Sequence, residues 1–181
     1  IGLGIPAEPL FRSASMELIR DDSLIWASGP TYPYDFVNES LHIDAVGQQR
    51  IGILAAKSAM GILRKEKRNM GLVPLSYEID GNDIRILFNV PKPPLFIDTI
   101  NVRKVDNDGF NVIRLDGIDI ISDISINHNS VDIHCSESPH NCKVRYGING
   151  VFLKGGRNIG SRGNLRDSQK PIPNWCLLFD L

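Results

Sequence analysis

The sequence has few cysteines and histidines, and their scarcity excludes several classes of protein. Three cysteines among 181 residues fall far short of a disulfide-rich composition, so reduced thiols are expected. Cys135 and Cys142 flank a short loop. Whether they form a disulfide in an oxidising environment is left undecided by the sequence. Together with His128, His134 and His140 they show neither the CxxC nor the HxxxH spacing typical of zinc sites. We therefore predict no metal site and no cofactor.

A large net charge and long apolar runs are also absent. The formal net charge of −1 creates no field that would attract nucleic acid or an anionic membrane. No apolar run approaches the roughly 20 residues that a bilayer-spanning helix needs, and no secretory signal opens the chain. We expect neither nucleic-acid binding nor membrane insertion. Because the first residue is Ile1 rather than Met, we expect a processed chain or the C-terminal piece of a longer one.

A phosphate-binding loop is missing as well. Residues 155–168 are rich in glycine and carry three arginines, but they lack the Gly-Lys-Ser/Thr ending of a P-loop. We predict an ordered loop in which Arg162 or Arg166 pairs with Asp167 or with backbone carbonyls.

The pattern up to about residue 70 is that of an α/β structure. Apolar residues at helical spacing from Leu10 to Leu18 predict a short amphipathic helix. The apolar run from Leu24 to Ala27, which a Gly-Pro loop breaker follows, predicts a buried parallel strand. Asp44 is placed to cap a long helix from Ala45 to about Arg68.

After Gly71 the apolar period changes from helical to two. Ser76–Ile79, a turn at residues 80–82 and the alternating run Ile84–Val90 predict a β-hairpin. Further strands are expected at Phe96–Val105, Phe110–Leu115, Ile118–Ile126, Val131–Cys135, Lys143–Ile148 and Trp175–Phe179. Short strands at this spacing are typical of an antiparallel β-sandwich. The predicted fold class is therefore α/β followed by all-β, with domains at residues 1–70 and 71–181.

Catalytic chemistry is indicated at one place, the loop before the long helix. His42 follows Glu39 by three residues, close enough in a tight loop for the carboxylate to reach the distal ring nitrogen. An imidazole acts as a general base when such a group fixes its tautomer and stabilises the imidazolium that forms. Two interpretations remain: His42 as a general base oriented by Glu39, or His42 as an ordinary loop histidine.

An aromatic stretch at residues 31–36 lies between the predicted strand and His42. In one interpretation Tyr32, Tyr34 or Phe36 lines a substrate cleft, with Tyr32 and Tyr34 as the substrate-binding candidates, because aromatic faces are good platforms for sugar rings. In the other they pack against the sheet, which is the favoured alternative because exposed aromatic patches are uncommon without a partner.

The acid-histidine block and many segments after it resemble the C-terminal half of the SGNH (GDSL-like) esterases found in bacteriophage tail proteins and related bacterial proteins. The resemblance covers nearly all of the chain. It rests on residues 23–42 and the following helix, then Pro74-Leu75, Phe88-Asn89-Val90-Pro91, Pro94-Leu95, Asp98-Thr99, Gly109-Phe110, Val144-Arg145-Tyr146, residues 162–168, Asn174-Trp175-Cys176 and Phe179. The position of Glu39 is usually Asp in that family.

The resemblance implies a serine esterase that removes acetyl or similar esters from surface polysaccharide. It implies His42 and Glu39 as catalytic residues, a carbohydrate-binding-like sandwich, and a virion-tail or extracellular location after synthesis in the cytoplasm. The serine, glycine and asparagine blocks of such enzymes lie earlier than this sequence, so the 181 residues alone are expected to be inactive.

Two further expectations concern partners. An upstream segment or another subunit, in a possible homo-oligomer, should complete the α/β sheet, because a lone strand and helix would expose apolar surface. An isolated chain should therefore associate or be protease-sensitive before Gly71. The alternative to an esterase is a non-catalytic module that binds glycan or docks onto a viral or cell-surface assembly.

Overall fold

A computed structural model describes residues 16–39, 42–151 and 154–181. The architecture is mostly antiparallel sheet with few helices, an α+β arrangement. The helices are α1, described over residues 16–21, and α2, Ala45–Leu63. The strands are β1 (Val73–Asp80), β2 (Asp83–Asn89), β3 (Phe96–Ile97), β4 (Phe110–Ile113), β5 (Ile121–Ile126), β6 (Ser130–Cys135), β7 (Lys143–Tyr146), β8 (Leu165–Arg166) and β9 (Phe179–Asp180).

The predicted N-cap of α2 is confirmed, but the helix ends earlier than expected. The Gly47 amide donates to Oδ1 of Asp44 at 2.7 Å, which satisfies one of the open amides of the first turn. At the other end Lys65 has a φ of 57°, and its amide donates to the carbonyl of Ile62 while that of Glu66 donates to Gly61. These two bonds form a Schellman motif, which stops the helix at Leu63.

The predicted strand at Leu24–Ala27 is wrong. The segment is irregular, and the side chain of Leu24 is 84% exposed. A strand needs a neighbouring strand to bond with, and the described residues before residue 71 include none. The carbonyl of Ala27 instead accepts bonds from the side chains of Ser58, at 2.9 Å, and Asn69, at 3.1 Å. Most of the predicted first helix lies outside the described residues, and its described end is helical.

The predicted hairpin is confirmed. Strands β1 and β2 pair in antiparallel register around the turn at Gly81, with a bulge between Pro74 and Ser76. Every second residue of β2 is buried, as the alternation predicts, so that Ile84, Ile86 and Phe88 face the core.

The strands form three antiparallel sheets, with strand orders β1-β2-β6-β5, β4-β7-β9 and β3-β8. Side chains from all three sheets meet in one apolar cluster. At its centre the ring of Tyr146 stacks on Phe179, with centroids 5.5 Å apart, and lies 4.8 Å from the ring of Phe110. This cluster holds together the part of the chain after residue 71.

Strand β3 is much shorter than the predicted Phe96–Val105. Oδ1 of Asp98 accepts bonds from the amides of both Ile100 and Asn101, which turns the chain directly after Ile97. The Arg166 Nε donates to the same carboxyl group at 2.6 Å. Burial alone would raise the pKa of Asp98, but the hydrogen bonds from Asn101 and Arg166 outweigh it and lower the pKa.

Two differences concern the end of the chain. Strand β8 lies in the region expected to be a loop, where it pairs with β3. The strand predicted at Trp175–Phe179 begins only at Phe179. Trp175 itself makes a single bridge to Arg166. None of the described helices is both long and apolar enough to cross a membrane.

Candidate functional site

His42 lies on a short hairpin-like loop, which we call the histidine loop and define as residues 36–39 and 42–43. An antiparallel bridge between Phe36 and Ile43 closes its base. The Val37 amide donates to the carbonyl of His42 at 2.8 Å, and the Asp44 amide donates to that of Asp35 at 2.9 Å. The backbone of His42 is thus fixed directly before the capped end of α2.

The structure brings Glu39 and His42 onto the same loop but does not join their side chains. Both residues are exposed. Among the hydrogen bonds and ion pairs of the described residues, none links the Glu39 carboxyl group to the His42 ring. The pairing of acid and histidine therefore stays a prediction.

The backbone of the histidine loop has an unusual conformation next to the candidate acid. Asn38 and Glu39 both have a φ of 52°, in the left-handed region. Asparagine adopts this conformation comparatively often, whereas glutamate does so rarely. The Glu39 carbonyl accepts a bond from the Gly155 amide at 3.2 Å, so a contact from a distant part of the chain supports this conformation.

That contact comes from the glycine-rich segment, whose described residues 154–160 we call the glycine loop. Arg157 of this loop forms a two-pronged ion pair with Asp35, in which Nε lies 2.7 Å from Oδ1 and Nη2 lies 2.7 Å from Oδ2. The Arg157 amide also donates to the carbonyl of Tyr34 at 3.1 Å. Sequence reasoning missed this pair, because 122 residues separate its members and no local pattern marks them.

The expectation for the other two arginines of this segment is confirmed in part. Arg162 is buried and donates to the carbonyls of Arg103 and Gly160, each at 2.9 Å. Arg166 donates to the carbonyl of Asp167 at 2.7 Å, but its charged partner is Asp98. Apart from strand β8, the segment is thus an ordered loop held by arginine-to-carbonyl bonds.

Tyr32 and Tyr34, the predicted substrate-binding residues, are both only 4% exposed. The Tyr32 hydroxyl donates to the Cys176 carbonyl at 3.0 Å, and its ring packs edge-on against Trp175. Burial raises the pKa of Tyr32 well above its ordinary value. This environment favours packing as the role of Tyr32, and a contact of either ring with substrate stays a prediction.

Tyr34 differs from Tyr32 in that its buried hydroxyl has no hydrogen-bond partner among the described residues. Burial raises the pKa of this hydroxyl, and the nearby Arg50 offsets part of the rise. The ring lines a small cavity of about 150 Å³ at the base of the histidine loop, together with Asp35, Asp44 and Arg50.

The remaining histidines and cysteines do not assemble into a site. Within residues 16–39, 42–151 and 154–181, no three His, Cys, Asp or Glu side chains are arranged to hold a metal ion. His134 instead bonds Oδ1 of Asp83 at 2.8 Å through Nδ1. Cys135 and Cys142 form no disulfide, and burial raises the pKa of Cys135 to about 11, which disfavours its reactive thiolate.

Comparison with known proteins finds a likeness in fold. No family model matches the sequence, and no curated protein matches it. Among solved structures, a carbohydrate acetylesterase from Xanthomonas citri is similar over 79% of this chain, with a TM-score of 0.50 and 16% sequence identity. The matched part is 30% of that enzyme's length. At this identity the likeness concerns the fold alone.

Proposed function

We propose that this chain is the C-terminal portion of an SGNH-type carbohydrate O-acetylesterase that acts on acetylated surface polysaccharide. The observation that carries the proposal is the position of His42, fixed on a closed loop before a capped helix, in a fold similar to that of a carbohydrate acetylesterase. Residues 1–70 would belong to the α/β hydrolase domain and residues 71–181 to a β-sandwich. The shared core of the sheets supports the second assignment.

In the proposed mechanism His42 acts as the general base. It takes the proton from a serine hydroxyl, supplied by a segment outside these 181 residues, as the serine oxygen attacks the acetyl carbonyl carbon. The imidazolium then gives this proton to the sugar oxygen when the ester bond breaks. Water, deprotonated by the same ring, releases acetate from the acyl-enzyme and restores the serine.

Glu39 is proposed to orient the His42 ring and to stabilise its protonated form. Because both side chains are exposed, rotation about their side-chain bonds is the movement that would join them. The resemblance to phage-tail esterases supports a virion-tail or extracellular location for the whole protein.

The test is esterase activity of the chain joined to its upstream segment. We expect His42→Ala to abolish acetate release from an acetylated glycan or a chromogenic acetate ester, by a factor on the order of 10³ or more. Glu39→Gln should cost less, because the ring keeps its place on the loop. His140→Ala is the matched control, since His140 is also an exposed loop histidine. It lies in the part of the chain that carries the strands, residues 72–181, which we call the β-rich part. Full activity of the His42 variant would remove His42 from the mechanism.

A second candidate is a non-catalytic glycan-binding or structural module. The observation that favours it is the exposed His42 ring, which has no hydrogen-bond partner among the described residues. It predicts that glycan binding survives His42→Ala and that the upstream sequence contains no Gly-Asp-Ser-like strand-to-helix turn.

A further inference from the structure

We infer that the glycine loop positions the histidine loop, with Arg157 as the positioning residue for His42. The inference rests on the proposed function, because it concerns the general base of that reaction. It assigns to the β-rich part of the chain a role in catalysis that the resemblance does not give it. Arg157 acts through the loop backbone and has no described contact with the His42 ring.

The first argument is the geometry of the Arg157–Asp35 pair. Two parallel N–H to oxygen bonds fix both the distance and the direction between the two side chains, which a single contact would not do. The Arg157 and Asp35 side chains are 36% and 42% exposed, so solvent screens their charges and the pair adds little stability. Its geometry therefore serves orientation more than stability.

The second argument is that the glycine loop holds the arm of the histidine loop that precedes His42 at both of its ends. The Arg157 amide bonds the carbonyl of Tyr34 before the loop, and the Gly155 amide bonds that of Glu39 within it. Asp35, which Arg157 pairs with, also accepts the amide of Asp44 at the other base of the loop. The glycine loop thus fixes the first arm of the loop, and the bonds from the Val37 amide to the His42 carbonyl and from the Asp44 amide to the Asp35 carbonyl join that arm to His42.

The third argument is that the glycine loop is itself anchored in the β-rich part. The Arg157 carbonyl accepts the Arg103 amide at 3.0 Å. The buried Arg162 side chain donates to the carbonyls of Arg103 and Gly160, and so links Arg103 to the end of the glycine loop. A continuous series of hydrogen bonds therefore runs from the β-rich part to the histidine loop.

The fourth argument is the close approach of the two loops at Gly156. Its φ of +90° favours glycine. A Cβ added there would lie 3.0 Å from the carbonyl oxygen of Tyr34 and 3.1 Å from Cδ2 of Phe36. Any side chain at this position would push the histidine loop away.

The first experiment compares Arg157→Gln with Arg85→Gln. Arg85 makes the same kind of two-pronged pair with Asp132 on the sheet, so it is a matched control. Hydrogen exchange in the longer protein that includes the upstream segment should become about fivefold faster at the amides of Val37 and Asp44 in Arg157→Gln, the size expected for one exposed pair. The control should leave both rates unchanged.

The second experiment compares Gly156→Ala with Gly117→Ala. Gly117 has a φ of +88° but nothing within 4 Å of an added Cβ, so both variants carry the same backbone strain and only one meets the histidine loop. We expect faster exchange of the same two amides in Gly156→Ala alone. This comparison separates displacement of the loop from a general loss of stability.

The third measurement is kinetic and uses the active longer protein. Loss of positioning should lower kcat of Arg157→Gln about tenfold while KM for a small acetate ester stays within about twofold. Unchanged exchange in both Arg157→Gln and Gly156→Ala would overturn the inference. An unchanged kcat of Arg157→Gln would also overturn it, provided that His42→Ala inactivates the same protein. If His42→Ala stays active, the proposed function fails and the positioning role fails with it. Altered exchange of the Val37 and Asp44 amides would in that case still show that the two loops are in contact.

Discussion

Strand β2 and helix α2 both carry isoleucines, but only the strand buries them completely. Ile84 and Ile86 of β2 have no exposed surface, whereas Ile53 and Ile62 of α2 are 49% and 50% exposed. Leu63 at the end of α2 is 75% exposed. The described residues after 71 therefore contain a core of their own, while α2 buries Leu54 and leaves several of its other apolar side chains uncovered by the described residues.

The largest expected effect comes from one substitution made in both regions. Ile86→Ala should lower the free energy of unfolding by about 2–5 kcal/mol, because it leaves a cavity in the core. Ile53→Ala should change it by no more than about 0.5 kcal/mol, since alanine loses little burial there and favours the helix. Urea unfolding of both variants measures the difference. Equal losses would show that the exposed side of α2 is covered in solution, for example by a second copy of the chain.

A smaller effect separates two glycines of α2. A Cβ at Gly61 would lie 2.6 Å from Cζ3 of Trp26, whereas one at Gly52 would meet nothing within 4 Å. We expect Gly61→Ala to destabilise by about 1–3 kcal/mol through overpacking. Gly52→Ala should stabilise by up to about 1 kcal/mol through helix propensity. Thermal unfolding of both variants, followed by circular dichroism, measures the two shifts in Tm. Equal shifts in Tm would mean that Trp26 does not pack on the helix.

The smallest effect compares the two regions through their histidines. The hydrogen bond that His134 donates to the Asp83 carboxylate raises the pKa of His134, whereas His42 has no described hydrogen-bond partner. A raised pKa means that the pair's contribution to stability is present below about pH 6.5 and is lost as the pH rises through the higher value. NMR titration should give a lower pKa for His134 in Asp83→Asn than in the unaltered chain. A His134 pKa that does not move would contradict the assigned pair.

Local patterns predicted the elements that local physics determines. The alternation of Ile84, Ile86 and Phe88 and the turn at Gly81 located the hairpin, and Asp44 located the start of α2. The helix end was misplaced because the residue that stops it is Lys65, not the glycine that usually marks such an end.

Long-range contacts account for what the sequence could not predict. Residues 24–27 are apolar enough for a strand, but strand formation depends on a neighbour that the segment itself does not specify. The pairing of Arg157 with Asp35 joins two loops that no pattern relates. The roles of His42 and Glu39, the domain boundary near Gly71 and the protease sensitivity before it stay predictions.

The contact between the two loops also bears on recombination among related proteins. In several links between the regions the later part of the chain contributes only a backbone group. One example is the Cys176 carbonyl, which accepts a hydrogen bond from the Tyr32 hydroxyl. Any β-rich part with the same backbone path would supply these groups whatever its sequence. Gly156 and Arg157 are different, since one must lack a side chain and the other must match Asp35. A chimera joined near residue 71 would therefore keep this contact between its two loops only if this glycine and arginine were inherited together with Asp35.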